Sequence, residues 1–242
     1  MSRVLVFLAL LGFGSCALAL SQFVQDIPVT RGLVARWDIE EGTGTTTRDE
    51  TGNDHGASFV NVTGWEAGPI PSRYWLSLGA GYLYVSDADV FSFTDGSTTN
   101  YPFSAEICAK PGNVGSRSLM GKWAGSSQEW IFKFASSQLQ MWVAGGSLKE
   151  IEDATESAGT LHSYGFSYDG DQTIVLYIDG ASIASTTTGT AGVSTNTSTA
   201  VNVGSSNNST SYSITGNLAF AQIYGANLTQ EEHAAIAEEC RE

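Results

Sequence analysis

Two Asp-Gly pairs frame the segment that most restricts how this chain can fold. They are Asp169-Gly170 and Asp179-Gly180, within the stretch SYDGDQTIVLYIDGASIAS (167–185). Because glycine has no Cβ and aspartate tolerates the left-handed backbone region, Asp-Gly favours tight hairpin turns. The run TIVLYI between the two pairs alternates isoleucine and leucine with valine and tyrosine, as a strand with one apolar face does. The segment therefore predicts a meander of three antiparallel strands.

The rest of the chain repeats this pattern of short apolar runs separated by turn residues. With 242 residues, of which 42% are hydrophobic, the chain can bury a full core as a single all-β domain. Near the end, Thr229 followed by Glu232 predicts a helix that begins with a capping box. We therefore predict a many-stranded sandwich with one short C-terminal helix.

The first residues have the pattern of an export signal. Arg3 precedes an apolar run that is too short to span a bilayer comfortably, and Ala17-Leu18-Ala19 follows it. We interpret residues 1–19 as a signal peptide, 20–31 as an N-terminal lead segment and 32–242 as the folded domain. A buried N-terminal strand and an uncleaved anchor are the alternatives. The expected location is secreted or at the cell surface, without stable membrane insertion after cleavage.

The charge of the chain is strongly negative and unevenly distributed. A net charge of -14 repels nucleic acid and anionic membranes, so we expect neither as a partner. The stretch from Ala181 to Gln230 contains no Asp, Glu, Lys or Arg. Because charges protect strand edges from pairing, this stretch supports a second hypothesis, a structural or self-assembling homo-oligomeric protein of an extracellular or virion surface.

Six segments that follow one another along the chain share a recognisable pattern. They are GLVARWDIEEGTG (32–44), DETGNDHG (49–56), GYLYV (81–85), FSAEICAKP (103–111), LHSYGFSYDGDQTIVLYIDG (161–180) and GNLAFAQIY (216–224). In this order they resemble the strands and turns of laminin-G-like domains of the concanavalin A-like lectin/glucanase superfamily. The resemblance implies an all-β jelly-roll sandwich of two antiparallel sheets. It also implies that the function lies among lectins, glucanases and adhesion modules.

Two cysteines, Cys108 and Cys240, remain if the signal peptide is removed. An even number of cysteines in an oxidising compartment fits a disulfide, and two buried thiols fit the sequence equally well.

The loop at residues 49–56 is a candidate calcium site. Asp49, Asn53 and Asp54 offer hard oxygen ligands within a tight glycine loop, and the resemblance also implies calcium at the sandwich edge. Ala219 and Phe220, however, stand where relatives commonly place an acidic pair. Stabilisation of a turn by the Asp49 side chain is the alternative.

Strand alternation assigns candidate ligand-binding residues. Around Leu139–Val143, the core positions alternate with Gln140 and Trp142, which fall on the polar face of the predicted sheet. A tryptophan beside an amide suits sugar stacking, and the alternative is a tryptophan covered by a loop. Tyr177 falls on a polar face by the same argument. Aromatic residues in loop-like surroundings are further candidates: Trp65, Tyr74, Trp75, Tyr101 and Trp123.

An acidic run invites comparison with the carboxylates of glucanases, which follow the pattern E-x-D-x-x-E on one strand. Strand alternation places Glu150, Glu152 and Glu156 on one face but Asp153 on the other, so we interpret the run as a solvated acidic face. We assign no catalytic residues. The sequence therefore predicts a secreted, non-catalytic, lectin-like module that binds a glycan or a glycosylated surface, and a glycoside hydrolase is the less favoured alternative.

Overall fold

The structure, a computed structural model, describes residues 29–68, 73–144, 149–186 and 194–241, with the backbone alone for 149–155. The predicted signal peptide lies outside these ranges. Residues Arg31–Glu242 form one compact unit.

The described residues form strands, two short 3-10 helices (Asp89–Phe91 and Thr210–Tyr212) and one α-helix. The strands are β1 (Leu33–Asp38), β2 (Thr46–Thr47), β3 (Ala57–Val60), β4 (Gly64–Ala67), β5 (Tyr74–Ser77), β6 (Tyr82–Val85), β7 (Phe103–Pro111), β8 (Arg117–Ala124), β9 (Ser127–Ala135), β10 (Gln138–Val143), β11 (Lys149–Thr155), β12 (His162–Tyr168), β13 (Ile174–Ile178), β14 (Ala181–Thr186), β15 (Val201–Val203) and β16 (Gly216–Tyr224), and the helix is α1 (Gln230–Glu238).

The strands form two antiparallel sheets of eight strands each. The first sheet has the order β14-β13-β12-β7-β16-β5-β4, and β1 also pairs with β16. The second sheet has the order β11-β10-β9-β8-β15-β6-β3-β2. The predicted two-sheet sandwich with one short C-terminal helix is confirmed.

The core lies between the two sheets and is rich in aromatic side chains. In β9, Trp130, Phe132 and Phe134 alternate inward and are 0–2% exposed. Phe103 of β7 stacks on Phe93 with ring centroids 4.2 Å apart. Each large side chain that is buried in this way stabilises the fold by roughly 1.5–3 kcal/mol. The sheet faces that carry these side chains are therefore the ones that pack against each other.

The Asp-Gly meander folds as predicted, although its two turns differ. Asp179 and Gly180 have φ angles of 50° and 75°, which fit a two-residue hairpin between β13 and β14. Asp169 instead begins a longer loop in which its carboxylate accepts N–H groups from three following residues. Burial raises the pKa of Asp169, but these hydrogen bonds outweigh it and the net pKa is lowered.

Helix α1 begins with the predicted capping box. The Thr229 hydroxyl accepts the Glu232 N–H at 3.3 Å, and the Glu232 carboxylate accepts the Thr229 N–H at 2.8 Å. Arg31 pairs with the same carboxylate at 2.6 Å. None of the helices within the described ranges has the length and apolar character needed to cross a membrane.

A disulfide links the end of the helical segment to the first sheet. Cys108 of β7 is bonded to Cys240, with their Cα atoms 5.6 Å apart. Of the two alternatives that the sequence leaves open, the structure therefore has the disulfide.

The uncharged stretch from Ala181 to Gln230 lies mostly inside the sheets. Strand β15 pairs with β6 and β8, and β16 pairs with β7 on one side and with β1 and β5 on the other. Residues 187–193 are outside the described residues. Among the described strands of this stretch, β14 is the one at a sheet edge, so the stretch offers little edge for self-association.

Candidate ligand-binding face

The outer face of the first sheet is polar in sequence but closed in the structure. Glu106, Ser163 and Ser167 point away from the core, yet each is at most 1% exposed because α1 covers them. His233 of α1 contacts the Glu106 carboxylate through Nδ1 at 2.5 Å and the Ser167 hydroxyl through Nε2 at 2.8 Å. The Ser163 hydroxyl donates to the other Glu106 oxygen at 2.5 Å.

This serine–histidine–glutamate chain has the connectivity that hydrolases use, but it is buried beneath the helix. Gly165 makes the arrangement sterically feasible, because a Cβ at this position would overlap the Glu106 carboxylate and lie 2.8 Å from His233 Nδ1. With no solvent contact at Glu106 or His233, the chain of hydrogen bonds serves to dock α1 on the sheet.

Tyr177 lies on this closed face. Its prediction as a ligand-binding residue, like Trp142, is therefore wrong. Its ring stacks on His233 with centroids 3.9 Å apart, and the side chain is 5% exposed. Burial raises the pKa of the Tyr177 hydroxyl. The outward direction follows from strand alternation, but the covering helix could not be inferred from the strand itself.

The outer face of the second sheet is partly open and carries Trp142. Strand β10 pairs with β9 so that Trp142 lies opposite Ile131 and Gln140 lies opposite Lys133. The core positions of β10 alternate with these residues, as the sequence predicts. Trp142 is half-buried, whereas Gln140 is buried at 4% exposure.

The surroundings of Trp142 restrict what its ring can contact. Lys133 Nζ lies 3.2 Å from the centroid of the Trp142 ring, so the ammonium occupies one ring face. Trp123 meets the ring edge-to-face at 6.0 Å. The indole Nε1 is buried and has no hydrogen-bond partner among the described residues. Both tryptophans are half-buried, but Trp123 lines the neighbouring groove, whereas Trp142 packs against Trp123 from the side.

Trp123 lies in β8, although its sequence surroundings are loop-like. A register shift between Lys122 and Trp123 in the β8–β9 pairing changes the alternation at this point. Because a β-bulge adds one residue to a strand, it re-aims the side chains that follow. No sequence signal marked this bulge, and Trp123 was therefore not assigned to the sheet face.

Trp123 borders a groove of about 320 Å³. We call this the Trp123 groove; its lining includes Arg117, Trp123, Lys133, Ser206, Asn207 and Tyr212. Ligand pockets usually begin at about 300 Å³, so the groove fits a small ligand. Tyr212 is 44% exposed at its rim.

Polar groups of the groove are held by local hydrogen bonds. Asn207, with a φ of 65°, accepts the Gly125 N–H through Oδ1 at 2.5 Å. The Asn207 amide nitrogen has no partner among the described residues and keeps both N–H groups for a ligand. Ser118 donates to Ser206 at 2.8 Å, which fixes the loop that carries Asn207.

The loop at 49–56 does not fit a calcium site. The Asp49 carboxylate is 8% exposed, and hydrogen-bond donors already surround both of its oxygens. These donors are the backbone N–H groups of Arg36, Thr51 and His55 and the Thr51 hydroxyl. Asn53 and Asp54 are exposed, and no group of three metal-ligating acidic, histidine or cysteine side chains occurs in the described part of the chain. The contacts of Asp49 match the alternative, a stabilised turn.

The pairing of β11 with β10 changes register at the end of the acidic run. The register of β11 puts Glu150 and Glu152 opposite the outward positions of β10. A register shift near the end of the pairing then reverses the alternation before Glu156. The Glu156 carboxylate accepts the Tyr164 hydroxyl at 3.4 Å and lies 3.9 Å from His162 Nε2. The strand alternation that would align Glu156 with Glu150 and Glu152 is therefore interrupted.

The remaining aromatic candidates lie away from the Trp123 groove. Trp65 of β4 packs on Phe59 at 5.6 Å, and Trp75 of β5 is 8% exposed. Tyr74 and Tyr101 are 46% and 47% exposed, respectively, and neither lines the groove.

Comparison with known families identifies the class to which this sandwich belongs. Residues 85–232 match the laminin-G profile of the Concanavalin A-like lectin/glucanases superfamily. The chain belongs to this superfamily. No curated protein matched the sequence.

Solved structures with the same fold include several described as binding domains. The binding domain of Paraclostridial Mosquitocidal Protein 1 shares 14% identity at a TM-score of 0.61, over 86% of this chain and 52% of that one. The binding domain of Botulinum neurotoxin DC in complex with rat synaptotagmin II shares 11% identity at a TM-score of 0.61, over 87% of this chain and 52% of that one. The same domain in complex with SialylT shares 12% identity at a TM-score of 0.61, over 90% of this chain and 52% of that one. This chain thus corresponds to about half of each, and the likeness concerns the fold.

Proposed function

We propose that this protein is an exported, non-catalytic module that binds a carbohydrate or a glycosylated surface through the Trp123 groove. The observation that carries the proposal is the Trp123–Trp142 pair beside a groove of about 320 Å³ on the partly open sheet face. Aromatic faces receive the C–H groups of a sugar, and neighbouring amides and hydroxyls hydrogen-bond its oxygens.

Three lining residues have a direct role in this proposal. The Trp123 ring provides the stacking surface, while the Asn207 amide and the exposed Tyr212 hydroxyl supply hydrogen bonds at the groove. Trp142 packs against Trp123 through the edge-to-face contact, and Lys133 covers one face of the Trp142 ring.

Three further observations support the proposal. The superfamily includes lectins, and several structural neighbours are binding domains, one of them solved with SialylT. The signal-like pattern of residues 1–19 supports export. The serine–histidine–glutamate chain, whose connectivity resembles that of catalytic groups, is buried, and a register shift interrupts the strand alternation of the acidic run.

A glycan array with the protein lacking residues 1–19 tests the proposal. We expect binding to a subset of glycans, its loss in Trp123→Ala, and its retention in Tyr101→Ala, a matched removal of an exposed aromatic residue outside the groove. Absence of binding by the wild type, or hydrolysis of β-glucan by it, would contradict the proposal.

A further inference from the structure

Arg117 differs from the other arginines that the structure describes. Each of the others has a carboxylate oxygen within 3.2 Å: Arg31, Arg36, Arg48, Arg73 and Arg241. Arg117 instead donates through Nη1 to the backbone carbonyls of Ser116 and Ser211, both at 3.0 Å. No described carboxylate neutralises it.

The charge of the Trp123 groove is opposite to that of the chain. Its charged lining residues are Arg117 and Lys133, and no acidic residue lines it among those described. Another surface groove is lined by four acidic residues and one arginine, Arg48. In a chain with a net charge of -14, a basic groove is a local exception that favours an anionic group.

The free side of the Arg117 guanidinium has the geometry that a carboxylate needs. Nη1 is used by the two carbonyls, whereas Nε and Nη2 have no partner within the described part of the chain. Nε and Nη2 are the same atoms through which Arg31 holds both oxygens of Glu232, at 2.8 and 2.6 Å. A planar guanidinium binds a planar carboxylate through two parallel hydrogen bonds in this way.

We propose that Arg117 makes the Trp123 groove selective for acidic sugars, whose carboxylate it binds through Nε and Nη2. The inference rests on the proposed function and specifies its ligand class. The strongly negative chain repels long polyanions, so the expected ligand is a short glycan that carries one carboxylate.

A matched pair of ligands tests the carboxylate directly. An array printed with carboxylated oligosaccharides, each beside its own methyl ester, changes the charge and leaves the rest of the sugar intact. We expect the wild type to prefer the acids by about tenfold to a hundredfold, the range for a charge-assisted hydrogen-bonded pair.

Variants then assign the preference to Arg117. Arg117→Gln should bind acid and ester equally, and Arg117→Lys should retain only part of the preference because it lacks the planar pair of donors. Arg48→Gln changes the net charge by the same amount at the acidic groove and should keep the full preference. Melting curves of the variants confirm that they are folded.

The outcomes separate this inference from the proposed function. Equal binding of acids and esters by the wild type, with both lost in Trp123→Ala, would overturn the acid selectivity and leave the glycan-binding site in place. Sulfated sugars that bind as tightly as carboxylated ones would overturn the role of carboxylate geometry. Absence of any glycan binding would overturn both proposals.

Discussion

The two outer sheet faces of this sandwich have similar strand patterns, but one is covered by a helix and the other is partly open to solvent. On the first sheet, the outward residues Glu106, Ser163 and Ser167 are closed off by helix α1 and its His233. On the second sheet, the outward Trp142 is half-buried and contacts Trp123, which lines an accessible groove.

The difference shows that strand alternation assigns a residue to a face but does not determine whether that face reaches solvent. Buried polar groups need hydrogen-bond partners, and on the first sheet Glu106, Ser163, Ser167 and His233 serve as partners for one another. The disulfide joins the segment after α1 to the same sheet. The second sheet keeps amide and guanidinium donors without partners among the described residues. We therefore assign stability to the first face and binding to the second.

The largest expected effect is on the closed face. His233→Ala leaves the Glu106 carboxylate and the Ser167 hydroxyl buried without this hydrogen-bond partner, which should cost about 3–5 kcal/mol and lower the Tm by about 10 °C. His162→Ala is the control, since His162 is partly exposed and pairs with Asp179 at 2.8 Å. Thermal melts that place both variants close to the wild type would refute the docking role of the network.

Removal of the disulfide tests the same face by a second route. Cys108→Ser together with Cys240→Ser should lower the free energy of unfolding by about 2–5 kcal/mol, because the unfolded chain gains freedom. Urea titration measures this loss. Glycan binding at temperatures where the variant remains folded should be unchanged, and a parallel loss of binding would show that the two faces are coupled.

On the open face, the two tryptophans should respond differently. Trp123→Ala should weaken glycan binding by about 1–3 kcal/mol with little change in Tm, since its ring is the contact surface. Trp142→Ala removes the support for Trp123 and the cation–π contact with Lys133, so it should lower the Tm more and affect binding less. Calorimetric titration and a thermal melt of each variant measure the two effects. A larger loss of binding in Trp142→Ala than in Trp123→Ala would make Trp142 the sugar platform.

The smallest effect concerns the cap of α1. The hydrogen bond from Arg31 lowers the pKa of Glu232 below its ordinary value of 4.5. The unfolded state therefore binds a proton more readily, so this contribution to stability is present above about pH 4.5 and is lost as the pH falls through the lowered pKa.

Glu232→Gln should cost about 1 kcal/mol at neutral pH, and its Tm should fall less steeply below pH 4.5 than that of the wild type. Melting curves between neutral and acidic pH measure the slope. Glu238→Gln, in an exposed pair with Arg241, is the matched control. Equal slopes for wild type and Glu232→Gln would contradict the assigned role.

Local features of the fold were predictable from the sequence, whereas features that depend on distant contacts were not. The turn at Asp179 and the cap at Thr229 follow from backbone and hydrogen-bonding preferences within a few residues. The burial of Tyr177 depends on where α1 docks, and the position of Trp123 at the groove depends on a bulge that leaves no sequence mark. Arg117 was missed because its lack of a carboxylate partner is a property of the assembled groove.

The most direct test of the binding face is to follow the indole N–H signals of the six tryptophans by NMR during titration with a glycan that binds on the array. The core residues Trp37 and Trp130 serve as internal controls, since they are 0% and 2% exposed. We predict that the Trp123 signal shifts most and the Trp142 signal less, while the core signals stay in place. Shifts confined to Trp65 and Trp75, on the first sheet, would contradict the assignment of binding to the Trp123 groove.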